Sequence, residues 1–160
     1  MNVIKPPQSL TKYLHRSTRP NPSIFLAGSI EMGVAQDWQS VVETALCDID
    51  VAMFNPRRDS WDSSWEQKIS NPHFREQVEW ELTALRCADV IIMYFDPETK
   101  SPISLLEFGL FAASGKLIVC CPDGFYRKGN IEVVSNYYGV PMFSTLGDAI
   151  DICITRLNKI

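Results

Sequence analysis

Four short apolar runs constrain what this chain can fold into: Ser23-Ile24-Phe25-Leu26-Ala27, Val51-Ala52-Met53-Phe54, Val90-Ile91-Ile92-Met93-Tyr94-Phe95 and Leu117-Ile118-Val119-Cys120-Cys121. Each is too short for a buried helix and is stopped by turn formers: Gly28-Ser29, Asn55-Pro56, Asp96-Pro97 and Pro122-Asp123-Gly124 in turn. Between them the apolar period becomes helical, with Trp38, Val41, Val42 and Leu46 in one stretch and Phe74, Val78, Leu82 and Leu85 in another. A short helix within residues 131–137 precedes a last short strand, Pro141-Met142-Phe143, and an amphipathic helix over residues 145–157 starts from Ser144 or Thr145 as cap. Apolar strands alternating with helices predict a doubly wound α/β fold: a mainly parallel five-stranded sheet with helices on both faces, of the Rossmann or flavodoxin kind. Residues 1–22, with Pro6, Pro7, Pro20 and Pro22, read as an extended arm with one helical turn around residues 10–14, laid on the surface or against a neighbouring subunit. Residues 23–160 then form a single domain.

In such sheets ligands sit beyond the carboxyl ends of the strands, so the loops at Gly28-Ser29, residues 55–59, residues 96–101 and residues 122–124 are expected to line one pocket. No Walker phosphate loop occurs, and no Gly-x-Gly-x-x-Gly follows the first strand, so no nucleotide cofactor is expected. The formal net charge of -4 offers no basic footprint for a nucleic acid. With two histidines and no Cys-x-x-Cys pair, no metal site is expected. Four of the five cysteines lie in apolar runs, which suits a reducing compartment and a cytoplasmic location, and no apolar run is long enough to span a membrane.

Two carboxylates stand out. Glu107 is the only charge in a helix otherwise built from Leu105, Leu106, Phe108, Leu110, Phe111 and alanines, with Ser104 as the expected cap. A helix apolar all round is a buried one, and a carboxylate in its first turn would be kept ionised by the free N–H groups and the helix dipole, poorly hydrated as a nucleophile must be. The plainer reading is that Glu107 caps the helix. Glu81 falls in the middle of the Phe74, Val78, Leu82 and Leu85 stripe, where it needs a purpose or a partner such as Arg57 or Arg58. Trp61 and Trp65, in the long loop before that helix, either stack on a planar ligand or close over the core, while Asp89 turns the chain into its strand.

Taken together, Phe25-Leu26-Ala27-Gly28-Ser29-Ile30, the acidic helix running into Ala88-Asp89-Val90, and residues 101–107 followed by Phe108-Gly109 resemble the nucleoside 2-deoxyribosyltransferase superfamily over residues 23–141. The resemblance implies that Glu107 attacks the anomeric carbon of a 2'-deoxyribosyl group to leave a glycosyl-enzyme, which a second base or water then resolves. It implies that Glu81, where the family carries aspartate, holds the base and shuttles its proton, and that Gly28, Ser29, Phe25, Asn55, Asp96, Ser101 and Asn130 surround the substrate. Ser101 stands where transferases carry an aspartate and related nucleotide hydrolases a serine, with Asp96 available to take the acid's place. Asn130 matches an asparagine that reaches across a subunit interface to the sugar 5'-hydroxyl, which implies a homodimer or larger assembly. Glu31 replaces the arginine that holds a phosphate in nucleotide-using relatives. Phe25 replaces the tyrosine that orients the nucleophile, a task that passes to a group such as Tyr94. The partners implied are a nucleoside and a free nucleobase. The activity implied is deoxyribosyl transfer, with hydrolysis of a nucleoside or its 5'-monophosphate, or binding without turnover, as rivals.

Overall fold

The computed structural model describes residues 1–30 and 37–160. Six parallel strands, β1 (Asn2–Ile4), β2 (Ser23–Gly28), β3 (Ala52–Phe54), β4 (Val90–Tyr94), β5 (Leu117–Cys120) and β6 (Met142–Phe143), are ordered β1-β3-β2-β4-β5-β6. Among the described residues five α-helices connect or close them: α1 (Trp38–Ala45), α2 (Pro72–Cys87), α3 (Pro102–Phe111), α4 (Lys128–Tyr138) and α5 (Leu146–Leu157). Alternation along the central strands divides the core. Phe25, Ala27, Ile91, Met93 and Phe95 face α2, α3 and α4, whereas Ile24, Leu26, Val90, Ile92 and Tyr94 face α1 and α5. The doubly wound architecture is therefore present, with six strands in place of five. Four of the five cysteines are buried, with Cys47 exposed.

The sixth strand comes from the segment read as an extended arm. Asn2 donates to the Val51 carbonyl at 2.9 Å and Asn55 to the Ile4 carbonyl at 3.0 Å, which adds β1 to the free edge of β3. Behind it, one 3₁₀ turn over Thr11–Tyr13 sinks Leu10 and Tyr13 into the core, with Tyr13 packed edge-on against Phe54 at 5.1 Å. Arg19 then donates to Asp89 Oδ1 at 2.7 Å, while Asp89 Oδ2 accepts the Ser23 amide at 3.0 Å and hydroxyl at 2.8 Å. Asp89 is thus a clip between the arm, β2 and β4.

Helix α2 starts at Pro72 under an Asn71 cap, whose side chain accepts the His73 and Phe74 amides at 3.1 and 3.3 Å. Its buried face is Gln77, Trp80, Ala84 and Leu85; Leu82 is 44% exposed, so the expected stripe is rotated. Trp80 causes the rotation by turning inward and donating its indole N–H to the Gln8 carbonyl at 2.8 Å.

At the end of β2, Gly28 has φ +135, and a Cβ there would stand 2.2 Å from the Tyr94 carbonyl oxygen. Only glycine accommodates both demands. Gly28→Ala is expected to destabilise the fold by about 3 kcal/mol or more, read as a lowered denaturation midpoint.

Candidate active site

The carboxyl ends of β2 and β4 are stitched together by Ser29. Its amide donates to the Tyr94 carbonyl at 2.9 Å, its hydroxyl oxygen accepts the Asp96 amide at 2.9 Å, and its carbonyl accepts the Trp38 indole N–H at 2.9 Å. The same hydroxyl joins those of Thr99 and Ser101 in a buried cluster. Asp96 closes the turn by accepting the Glu98 amide at 2.9 Å. At the end of this loop Ser101 occupies the left-handed region, with φ 45, and Pro102 opens α3. Such a conformation persists in a non-glycine residue only where its surroundings enforce it.

The start of α3 alters the electrostatic expectation. Ser101, not Ser104, holds the N-cap position, and Ser104 is buried within the helix. Glu107 consequently lies in the second turn, beyond the reach of the free N–H groups. Residues 104, 107 and 108 face inward, whereas Ile103, Leu106 and Leu110 are 61%, 60% and 59% exposed, so the helix is not buried all round.

Glu107 is 8% exposed, and no described group hydrogen-bonds to its carboxyl. Burial, reinforced by the charge of Glu81, pushes its pKa up to about 8. The expectation of a permanently ionised Glu107 is therefore corrected: at neutral pH the free protein favours the acid. Burial likewise raises Glu81, opposed by the Gln77 amide, which donates to Glu81 Oε1 at 2.8 Å. The ion pair considered for Glu81 is absent among the described residues. Arg58 binds Glu76 at 2.8 Å, and Arg57 lies 3.7 Å from Asp37. The arrangement is two carboxyl groups whose proton affinity is raised, the charge of Glu81 acting on Glu107, which suits proton transfer to and from a bound molecule.

The other anticipated residues separate into two groups. Gly28, Ser29, Asp96 and Ser101 meet at the head of α3 and build the loop that positions Glu107. Asn55 buttresses the β3 loop, donating to Glu43 at 2.8 Å and accepting the Arg57 amide at 3.0 Å. Phe25 is 1% exposed inside the core. Asn130 is exposed near the start of α4. Tyr94 cannot orient Glu107 because its ring lies on the opposite face of the sheet, 5.6 Å from Trp38. Trp61 and Trp65 pack edge-on against each other at 5.2 Å, and Trp65 stacks on His73 at 4.8 Å. Both are half-buried and outside the two core clusters. Glu31 lies outside the described residues. The loop at residues 122–124 touches the β4 loop, where a Cβ on Gly124 would stand 3.5 Å from that of Pro97.

Gln77 is the residue that the sequence reading missed. Its signal is its place four residues before Glu81 on one helix, a spacing that makes side chains neighbours. Among the described residues no group of three histidine, cysteine, aspartate or glutamate side chains is placed to hold a metal, and no helix is long and apolar enough to cross a membrane. Two grooves of about 370 and 620 Å³ run along the N-terminal arm, away from the carboxyl pair.

The class is thus a Rossmann-like α/β domain with a carboxyl pair at one end of its parallel sheet. The model of the family described as nucleoside 2-deoxyribosyltransferase like matches residues 21–125, and the chain belongs to that family. A conserved protein from Enterococcus faecalis V583, known from a crystal structure, shares the fold with a TM-score of 0.61 and 14% identity, over 86% of this chain and 99% of its own. No curated protein matches the chain.

Because the folded pKa of Glu107, about 8, lies above its ordinary value of 4.5, the group's contribution to stability is complete below the ordinary value and is lost as pH rises through about 8. Glu107→Gln removes this dependence. Its stability relative to the parent is expected to improve by up to about 1.4 kcal/mol per pH unit across that window, checked by chemical denaturation at several pH values.

Proposed function

We propose that the protein is a nucleoside 2-deoxyribosyltransferase that works through a covalent glycosyl-glutamate. The observation that carries this reading is the Glu107–Glu81 pair, two interacting carboxyl groups beside the carboxyl ends of the strands in a chain of this family. A Glu107 oxygen attacks C1' of a 2'-deoxynucleoside; the bond from C1' to the base nitrogen breaks, and its electron pair stays on that nitrogen, which takes a proton from Glu81. A second base then attacks C1', gives its proton to Glu81 and releases Glu107 as a carboxylate. A buried carboxylate close to an oxocarbenium-like centre stabilises the charge that develops there. The pair must therefore enter the reaction with its proton on Glu81.

Asp96 and Ser101 flank the base in this reading, and a second copy of the chain supplies Asn130 to the sugar. The exposure of Asn130 and the uncovered Ile103, Leu106 and Leu110 stripe of α3 support such a homodimer. Hydrolysis is the second reading, favoured by a serine rather than an acid at position 101. Both place the protein in the cytoplasm, where nucleosides and free bases meet.

Incubation with 2'-deoxynucleosides, with and without a free acceptor base, tests the proposal. Base exchange is the expected outcome; free sugar and base without exchange would establish hydrolysis, and binding without products would overturn both. Glu107→Gln is expected to lower turnover by more than about 10³-fold while leaving the protein folded, measured by product chromatography beside a melting curve.

A further inference from the structure

Gln77 lies one helical turn before Glu81, is 6% exposed, and makes both of its contacts through one atom. Its Nε2 donates to the Pro56 carbonyl at 2.9 Å and to Glu81 Oε1 at 2.8 Å, whereas its buried Oε1 has no hydrogen-bond partner. A backbone carbonyl only accepts, so the Pro56 contact decides which way round the amide sits. Turning the amide over would set its oxygen against two acceptors. Glu81 therefore faces a fixed donor, and the oxygen that meets it carries no proton.

Glu107 meets no comparable donor among the described residues, and the charge that acts on it is that of Glu81. Charged groups on the neighbouring elements are engaged elsewhere. From the β3 loop, Arg57 is 3.7 Å from Asp37 and Arg58 binds Glu76 at 2.8 Å; from the β4 loop, Asp96 accepts the Glu98 amide at 2.9 Å. Tyr94 faces the other side of the sheet. No described cation is paired with either carboxyl group, so what Glu81 has and Glu107 lacks is the hydrogen bond from Gln77, beside a somewhat greater exposure of Glu81.

We infer that Gln77 is the positioning residue of the pair: by offering Glu81 only a donor, it holds that carboxylate ionised, and the Glu81 charge keeps the proton on Glu107 until substrate arrives. The inference rests on the glycosyl-transfer reading for its purpose. A base that presents a ring-nitrogen acceptor to Glu81 favours a proton there; Glu81 takes it from solvent, loses the charge that held the proton on Glu107, and Glu107 gives its own proton to solvent, so the count of protons on the pair is unchanged. Glu107 then becomes a nucleophile only when a base is in place, and an empty site shows water a protonated, unreactive acid.

The location of the proton can be measured without turnover, by carboxyl-carbon NMR titration of the full chain labelled at glutamate. In the parent, Glu107 is expected to titrate near pH 8, with Glu81 below it. Gln77→Met, similar in volume but without the donor, is expected to reverse that order, moving Glu107 down by about one unit and Glu81 up. In a Glu81→Gln background Glu107 should also titrate lower, and adding Gln77→Met should move it no further. A saturating free base should lower the Glu107 titration in the parent. Unchanged titrations in Gln77→Met, with only a lower melting temperature, would overturn the inference by making Gln77 a packing residue. Should that variant fail to fold, an unmoved Glu107 in Glu81→Gln overturns it instead. The expected titrations without base exchange would support the proton's placement while removing the transferase reading; base exchange with unmoved titrations would remove this inference alone.

Discussion

Gly28 lets the end of β2 lie so close to Tyr94 of β4 that any side chain would collide with the Tyr94 backbone, and the Ser29 hydroxyl that follows lands on the Asp96 amide. This junction places the head of α3. With Ser29 holding Thr99 and Ser101, the β4 loop has no freedom to slide, and Ser101 is forced into a left-handed conformation before Pro102 starts the helix. Residues 104, 107 and 108 then turn inward as a consequence of helical spacing. The acid at position 107 is thus aimed by a hydroxyl cluster two strands wide rather than by any group that touches it.

The electrostatics of the site follow from what is missing around that acid. A buried carboxylate is ordinarily paired with a cation or several donors, yet the arginines of the β3 loop are turned toward Asp37 and Glu76. Removing water without supplying a counter-charge lifts the proton affinity of both Glu107 and Glu81, and the charge of Glu81 raises Glu107 further. The remaining asymmetry is one amide, pinned by a backbone carbonyl.

Much of this was legible in the residues. The four apolar runs, their turn formers and the intervening helical periods led to the doubly wound sheet, and Glu107 and Glu81 were conspicuous as charges among apolar neighbours. Four features were not legible, each for a physical reason. The edge strand at Asn2–Ile4 is too short to carry an alternation signal, and it forms because β3 offers an open edge. Ser104 looked like the cap because serine before an apolar stretch usually is one; the Ser29 cluster moved the helix start to Pro102. Helix α3 looked buried all round because composition cannot tell a face turned to the core from an apolar face left uncovered. Gln77 was invisible because its importance lies in two partners, one of them the backbone of Pro56.

The segment before Ser23 shows how this chain finishes what its family shares. The family match begins at residue 21, but the free edge of β3, one face of Phe54 and the indole of Trp80 are covered by residues that come earlier. Arg19 ties that covering to Asp89 and Ser23 at the amino ends of the central strands, the pole away from the carboxyl pair. The leading residues behave as a strap buckled at the base of the sheet, so a fragment trimmed to the shared boundaries would lose a strand, its buckle and the lid over two core aromatics at once.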